Sequence, residues 1–145
     1  MTKDINIKER EESIIEDFSL FEDWMMKYEY IIELGKNLPM IDEKFKNESY
    51  EVKGCQSKVW LNAEMKDGLL YFKADSDAVI TKGIISLLIK VLSGNKPADI
   101  VNADMNFINE IGLKEHLSPN RANGLTSMIN YMKKFALTYS GQNVN

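Results

Sequence analysis

Val59-Trp60-Leu61-Asn62-Ala63-Glu64-Met65-Lys66, then Asp67-Gly68, then Leu69-Leu70-Tyr71-Phe72-Lys73-Ala74, is the stretch whose reading decides the fold. Val59, Leu61, Ala63 and Met65 alternate with Trp60, Asn62 and Glu64, and Leu70, Phe72 and Ala74 alternate with Leu69, Tyr71 and Lys73. A period of two is that of a strand with one buried face. Asp-Gly between two such runs is a hairpin dipeptide, because both residues tolerate positive φ. Upstream, Tyr50 and Val52 alternate with Glu51 and Lys53, which predicts another strand joined to Val59 through a bend at Gly54. Three strands with short connections make an antiparallel meander.

Helical periodicity surrounds these strands. Phe21, Trp24, Met25, Tyr28 and Ile32 share one helix face, so residues 20–36 read as an amphipathic helix, capped by Ser19 with Glu22 and stopped before Pro39. Residues 78–92 are apolar on most sides and read as a helix buried between layers, with Asp75, Ser76 and Asp77 as candidate caps. Gly94 and Pro97 end it, and residues 97–111 suggest two short helical pieces. Ser118 followed by Pro119 opens a last helix whose stripe is Leu125, Met128, Ile129, Met132, Phe135, Ala136 and Tyr139. The fold class is therefore α+β, a small three-stranded antiparallel sheet with helices packed against it. The whole of 1–145 reads as a single domain with 1–12 as a frayed, charged end, although Ile14 to Phe18 fit a short helix.

Composition narrows the function. The chain has 145 residues, 44% of them hydrophobic, and a net charge of −4 from 22 acidic and 18 basic residues. That balance lacks the basic excess of a nucleic-acid footprint. No apolar run approaches the roughly 20 residues of a membrane span, and the start carries no signal-peptide stretch. With one cysteine as well, the expectation is a cytoplasmic protein.

That cysteine, Cys55, stands in Gly54-Cys55-Gln56-Ser57. A single thiol closes no disulfide within the chain and builds no multi-cysteine metal site. Its chemistry would be that of one thiolate acting on something outside the chain. A free thiol titrates near ~8.5, and the flanking Lys53 and Lys58 are expected to lower that modestly. An inert, buried cysteine stands beside this reading with about even weight on placement alone. His116 is the one histidine, and nothing local links it to Cys55 as a base. Arg121 falls in the first turn of the last helix, where the dipole disfavours a cation; a partner such as an acidic group or the Cys55 loop and a surface arginine tolerated at small cost stand with about equal weight. Trp60 falls on the polar parity of its strand, facing either a helix or a docking surface. No histidine–carboxylate metal cluster and no glycine-rich phosphate loop is seen, so no metal is assigned.

Four blocks carry a resemblance. They are Trp24 and Tyr28 with Glu33-Leu34-Gly35-Lys36 and Leu38-Pro39; Val52-Lys53-Gly54-Cys55-Gln56-Ser57-Lys58-Val59-Trp60-Leu61; Ala74-Asp75-Ser76-Asp77-Ala78 with Lys82-Gly83; and Leu117-Ser118-Pro119-Asn120-Arg121 with Asn123-Gly124-Leu125. In this order they resemble the SufE family, the sulfur acceptors of the Suf iron–sulfur assembly system. The resemblance implies an IscU-like α+β fold and a persulfide carried on Cys55, with Gly54, Gln56, Ser57 and Arg121 as supporting residues. It implies partners of two kinds, a SufS-type cysteine desulfurase that the carrier stimulates and a SufBCD-type scaffold that receives the sulfur. Pyridoxal phosphate would belong to the desulfurase, with no cofactor on this chain. Such a protein is a carrier and activator rather than a stand-alone enzyme. The chain departs from the family at Lys27 and Asn120, where arginine and serine are common. Two other readings of Cys55 compete: a thiol-based redox sensor or peroxidase, which would normally use a resolving cysteine, and a non-catalytic binding module.

Overall fold

The computed structural model describes residues 6–144. Eight principal elements follow in chain order: α1 (Ile7–Ser19), α2 (Trp24–Lys36), β1 (Val59–Lys66), β2 (Leu69–Ser76), α3 (Val79–Leu92), α4 (Pro97–Asn102), α5 (Phe107–Glu110) and α6 (Pro119–Val144). Short 3-10 turns occupy Glu43–Phe45, Glu48–Tyr50 and Lys114–His116. The arrangement is α+β, as the periodicities require.

β1 and β2 form the hairpin, with Lys66 opposite Leu69 and Val59 opposite Ser76. Asp67 and Gly68 turn it with φ of 55° and 82°, the left-handed pair that Asp-Gly accommodates. Val59, Leu61, Ala63, Leu70, Phe72 and Ala74 are buried on one face. α3 covers that face and is buried nearly all round, from Ile84 to Leu92. The stripe of α6 joins the same core through Leu125, Met128, Met132 and Ala136. Burial of this much apolar side chain, about 1.5–3 kcal/mol for each large residue, is the main source of stability.

The sheet has two strands, not three. Asn47 caps a 3-10 turn at Glu48–Tyr50 by accepting from the Ser49 N–H at 2.9 Å. That consumes the start of the expected strand, and only an isolated bridge from Glu51 to Trp60 remains. Val52 still donates to the Val59 carbonyl at 2.8 Å, which closes the loop 53–58 at its base.

Three local expectations are corrected. Ser19 ends α1, donating to the Glu16 carbonyl, and the cap of α2 is Asp23, which accepts from Met26 N–H at 2.9 Å. Asp75 and Ser76 belong to β2, and the N-cap position of α3 is Ala78, with no side-chain cap. Residues 7–12 are helical rather than frayed, while 1–5 lie outside the described residues. Arg10 explains the order of α1, since its guanidinium donates to the Ser93 and Val91 carbonyls at the end of α3.

Two glycines bring α2 and α3 together. A Cβ on Gly83 would overlap the carbonyl of Ile31, and one on Gly35 would lie 3.0 Å from the Gly83 nitrogen. The helices thus cross backbone to backbone, and this fixes the end of α3 that borders the cysteine loop.

Among the described residues no helix is long and apolar enough to cross a membrane.

Candidate functional site

The loop 53–58 bends at Gly54, whose φ of 94° suits glycine and strains other residues. Cys55 follows at the tip, half-buried. Its Sγ–H points at the Gly124 carbonyl of α6, 3.7 Å away. Beside the sulfur is a cavity of about 40 Å³, lined by Cys55, Gln56 and Ser57 from the loop, Thr81 and Ile84 from α3, and Asn120, Arg121, Gly124 and Met128 from α6. The structure thus brings Cys55, Gln56, Ser57 and Arg121 to one place. Gly54 stands next to it, against Ser127 of α6.

The thiol holds its proton more tightly than a free cysteine does. Burial pushes its pKa up, and the carboxylate of Glu51 pushes it further. The lysines do not act as the sequence suggested. Lys53 and Lys58 both turn to Glu51, at 3.6 and 3.9 Å from its Oε1. Their charge is spent on that carboxylate, so the expected lowering of the thiol pKa is overturned.

Several groups set the loop in place. Lys58 N–H donates to Asp77 Oδ1 at 3.1 Å, and Asp77 N–H returns a bond to the Lys58 carbonyl at 3.2 Å. Asp75 lies next door, buried, and takes Lys46 Nζ at 2.5 Å and Lys82 Nζ at 3.4 Å. Burial alone would raise its carboxyl; Lys46, the Ser76 N–H and Lys82 outweigh that and hold it below the usual range. This aspartate is therefore a structural hub joining β2, α3 and the 3-10 region, not a cap and not an acid–base group.

Arg121 donates its backbone N–H to Ser118 Oγ at 3.2 Å, completing the Ser-Pro start of α6. Its side chain is exposed and borders the cavity. His116 stacks on Trp24, with centroids 3.9 Å apart and planes at 14°, while its Nδ1 meets the Gly112 carbonyl at 2.9 Å. Its carbonyl accepts from the Tyr28 hydroxyl. That set ties α2 to the entrance of α6 and gives His116 a packing role. Trp60 is half-buried, with Lys46 Nζ 5.8 Å from its ring centroid.

Thr81, Ile84, Met128, Ser127 and Tyr131 were not singled out from the sequence as site residues. Their spacing on α3 and α6 was readable, but the loop that falls on them comes from far along the chain. A larger hollow of about 460 Å³ lies between α1 and α4, bordered by Lys8, Glu11, Asp99 and Asp104 and without a thiol or hydroxyl side chain. Among the described residues no group of three or more His, Cys, Asp or Glu side chains is placed to hold a metal ion.

Comparison with known proteins identifies the family and the fold. The family model described as SufE, Fe-S metabolism associated domain, matches residues 12–136. An uncharacterized SufE-like protein of Rhizobium meliloti is 41% identical over 130 residues, covering 86% of this chain and 93% of that protein. The SufE-like protein 1, chloroplastic/mitochondrial, of Arabidopsis thaliana is 39% identical over 127 residues, covering 87% of this chain but 34% of the plant protein. In fold, the solution structure of a hypothetical protein from Thermus thermophilus superposes with a TM-score of 0.73 at 21% identity, over 89% of this chain and 96% of that one. The chain belongs to the SufE family, whose domain is associated with iron–sulfur metabolism.

Proposed function

We propose that this protein accepts sulfur from the persulfide of a cysteine desulfurase onto Cys55 and delivers it to an iron–sulfur scaffold. The observation that carries the reading is a lone thiol at a loop tip beside a cavity of about 40 Å³. By the same measure about 10–15 Å³ holds one water molecule, so the space accommodates a small additional atom such as a sulfur. A carried persulfide folded back there is shielded from soluble reductants.

The chemistry is thiol exchange. The Cys55 thiolate attacks the outer sulfur of the partner's Cys–S–SH. A bond forms between Cys55 Sγ and that sulfur as the partner's S–S bond breaks, and the partner leaves as a thiolate. The proton given up by Cys55 goes to solvent or to the departing thiolate. The sulfur moves at constant oxidation level, so no oxidant is consumed. Delivery repeats the step with an acceptor thiol.

At rest Cys55 is a poor nucleophile, because burial and Glu51 hold it protonated. Docking activates it by drawing the loop out of its cavity or by presenting a cation. Arg121, at the cavity's edge, stabilises the thiolate or its loop as this happens. The same raised pKa disfavours a peroxide sensor, which needs thiolate while unbound. The desulfurase is of the SufS type and brings its own pyridoxal phosphate, its activity is stimulated when sulfur is removed, the acceptor is a SufBCD-type complex, and the working compartment is the cytoplasm.

The test is the intact mass of the protein after incubation with a SufS-type desulfurase and cysteine. The wild type gains one sulfur atom. Cys55→Ser gains none, yet keeps its melting temperature within a few degrees, because the half-buried thiol and a hydroxyl are near-isosteric. An unmodified wild type, or a Cys55→Ser protein that still stimulates the desulfurase fully, would sink the carrier reading.

A further inference from the structure

Four positions of α6 face the cysteine loop in strict order. Tyr131 meets Lys53, Ser127 meets Gly54, Gly124 meets Cys55, and Asn120 meets Gln56. The helix positions are spaced 4, 3 and 4 residues apart, which is one stripe of an α-helix. The loop therefore runs antiparallel to α6, one loop residue to each step of the stripe.

Geometry dictates which side chains can stand in that stripe. Gly124 and Ser127 are three residues apart, about 4.5 Å along the axis, close to the ~3.8 Å between consecutive Cα atoms of the loop. In the middle, then, loop and helix keep step and touch, and only small residues fit. A Cβ on Gly124 would lie 3.2 Å from Cys55 Sγ, and one on Gly54 would overlap Ser127 Oγ. Outward, each step of four residues advances about 6 Å along the helix, more than one loop residue covers. The ends separate, and long side chains close the gap: Tyr131 at one end, Asn120 with Gln56 at the other.

The two ends are not equal. Asn120 Nδ2 reaches Gln56 Oε1 at 3.4 Å, between two exposed side chains. Tyr131 is half-buried, and its hydroxyl accepts the Lys53 N–H at 3.1 Å. Among the described residues this is the one hydrogen bond donated by a backbone N–H of 53–57. The base of the loop is tied to β1 and Asp77, but its interior has this single backbone anchor.

Building on the carrier reading, we infer that Tyr131 is a positioning residue that latches the cysteine loop. Its hydroxyl holds Lys53 against α6, which seats Cys55 over Gly124 and its cavity. Breaking that one bond lets the interior of the loop leave the helix while the base stays tied. A partner that brings its own acceptor to the Lys53 N–H releases the thiol without unfolding anything else.

Tyr131→Phe keeps the ring and deletes the acceptor. Hydrogen exchange and Cys55 alkylation by iodoacetamide are measured on the protein alone, with no desulfurase present. A net hydrogen bond of ordinary strength corresponds to about a fivefold change in population. The Lys53 amide should exchange, and Cys55 should alkylate, about fivefold faster, while Leu61 and Phe72 amides stay protected and the melting temperature holds within a few degrees. Unchanged rates at Lys53 and Cys55 would overturn the latch. So would a rise at all amides together or a large fall in melting temperature, since Tyr131 would then be a core residue first. Sulfur loading of the wild type by a desulfurase and cysteine is followed in parallel. A wild type that loads, beside an unchanged Tyr131→Phe, removes the latch and leaves the carrier standing. A wild type that fails to load removes the carrier reading, whereas faster opening in the variant still supports Tyr131 as the holder of the loop.

Discussion

Two close approaches in this molecule use the same device to opposite ends. Where α2 crosses α3, Gly35 and Gly83 let two backbones touch. Where the cysteine loop crosses α6, Gly54 leaves room for the Ser127 side chain and Gly124 for the Cys55 thiol. The helix crossing is flanked by Ile31, Ile84 and the rest of the core, so separating it would expose a large apolar area. The loop crossing is held by one backbone hydrogen bond, a weak thiol contact, an exposed Asn120–Gln56 side-chain bond and the tie at its base. Absence of a side chain permits proximity in both places. What surrounds the contact decides whether it is permanent or reversible.

Substitution at Gly83 should break this comparison most forcefully. Gly83→Ala places a methyl group against the Ile31 backbone, which cannot swing aside. Alanine favours a helix by up to about 1 kcal/mol, but overpacking here should exceed that and leave a net loss of about 2–3 kcal/mol. Thermal melting would show it as a drop of several degrees or more. A Gly83→Ala protein as stable as the wild type would mean that the two helices slide apart freely.

Gly124→Ala makes the same chemical change at the other crossing. The new Cβ meets Cys55 Sγ at 3.2 Å, and that sulfur can move with its loop. Helix propensity offsets most of the crowding, so stability should change by less than about 1 kcal/mol. The reactivity should change more, with alkylation of Cys55 several-fold faster as the thiol leaves its cavity. Equal stability losses at Gly83 and Gly124 would erase the distinction between the two crossings.

The smallest expected effect concerns charge. Glu51 adds to burial in raising the thiol pKa, so Glu51→Gln should lower it and free Lys53 and Lys58 to favour the thiolate. Alkylation near pH 7.5 should rise about two- to threefold, with the pH profile moved toward lower pH. The sign also fixes a stability trend. The folded protein holds the thiol proton more tightly than the unfolded chain, whose thiol titrates near ~8.5. That preference is fully present below the unfolded value and is lost as pH rises through the folded one. Chemical denaturation from pH 7 to 10 should show it as a weakening that Cys55→Ser lacks.

Much of this architecture was legible locally. Asp67-Gly68 marked the hairpin, the alternation around it marked the buried face, and Ser118-Pro119 marked the start of α6. The misreadings share a cause. Tyr50 to Lys53 alternate like a strand, yet Asn47 competes for the backbone and bends it into a 3-10 turn. Asp75 and Asp77 look like caps, yet one pairs with Lys46 and Lys82 and the other holds Lys58. In each case a polar side chain had two possible partners, and the one chosen lay elsewhere in the chain or in the turn it nucleates. At the site, Cys55 was readable from its solitude and its glycine. Gly124, Ser127 and Tyr131 could not be read as its neighbours, because nothing within a helix stripe announces a loop that arrives from about 70 residues away.

The seating of a solitary thiol in its cavity also sets how the protein ages in air. Two copies can join through a disulfide only if both loops stand open in the same encounter. Self-coupling therefore scales with the square of the open population, whereas under the proposed function transfer within a docked complex that opens the loop does not. The rarer spontaneous opening is, the wider the gap between productive exchange and accidental dimerisation. A protein seated in this way can stand at high concentration without its single thiol being consumed by its own kind.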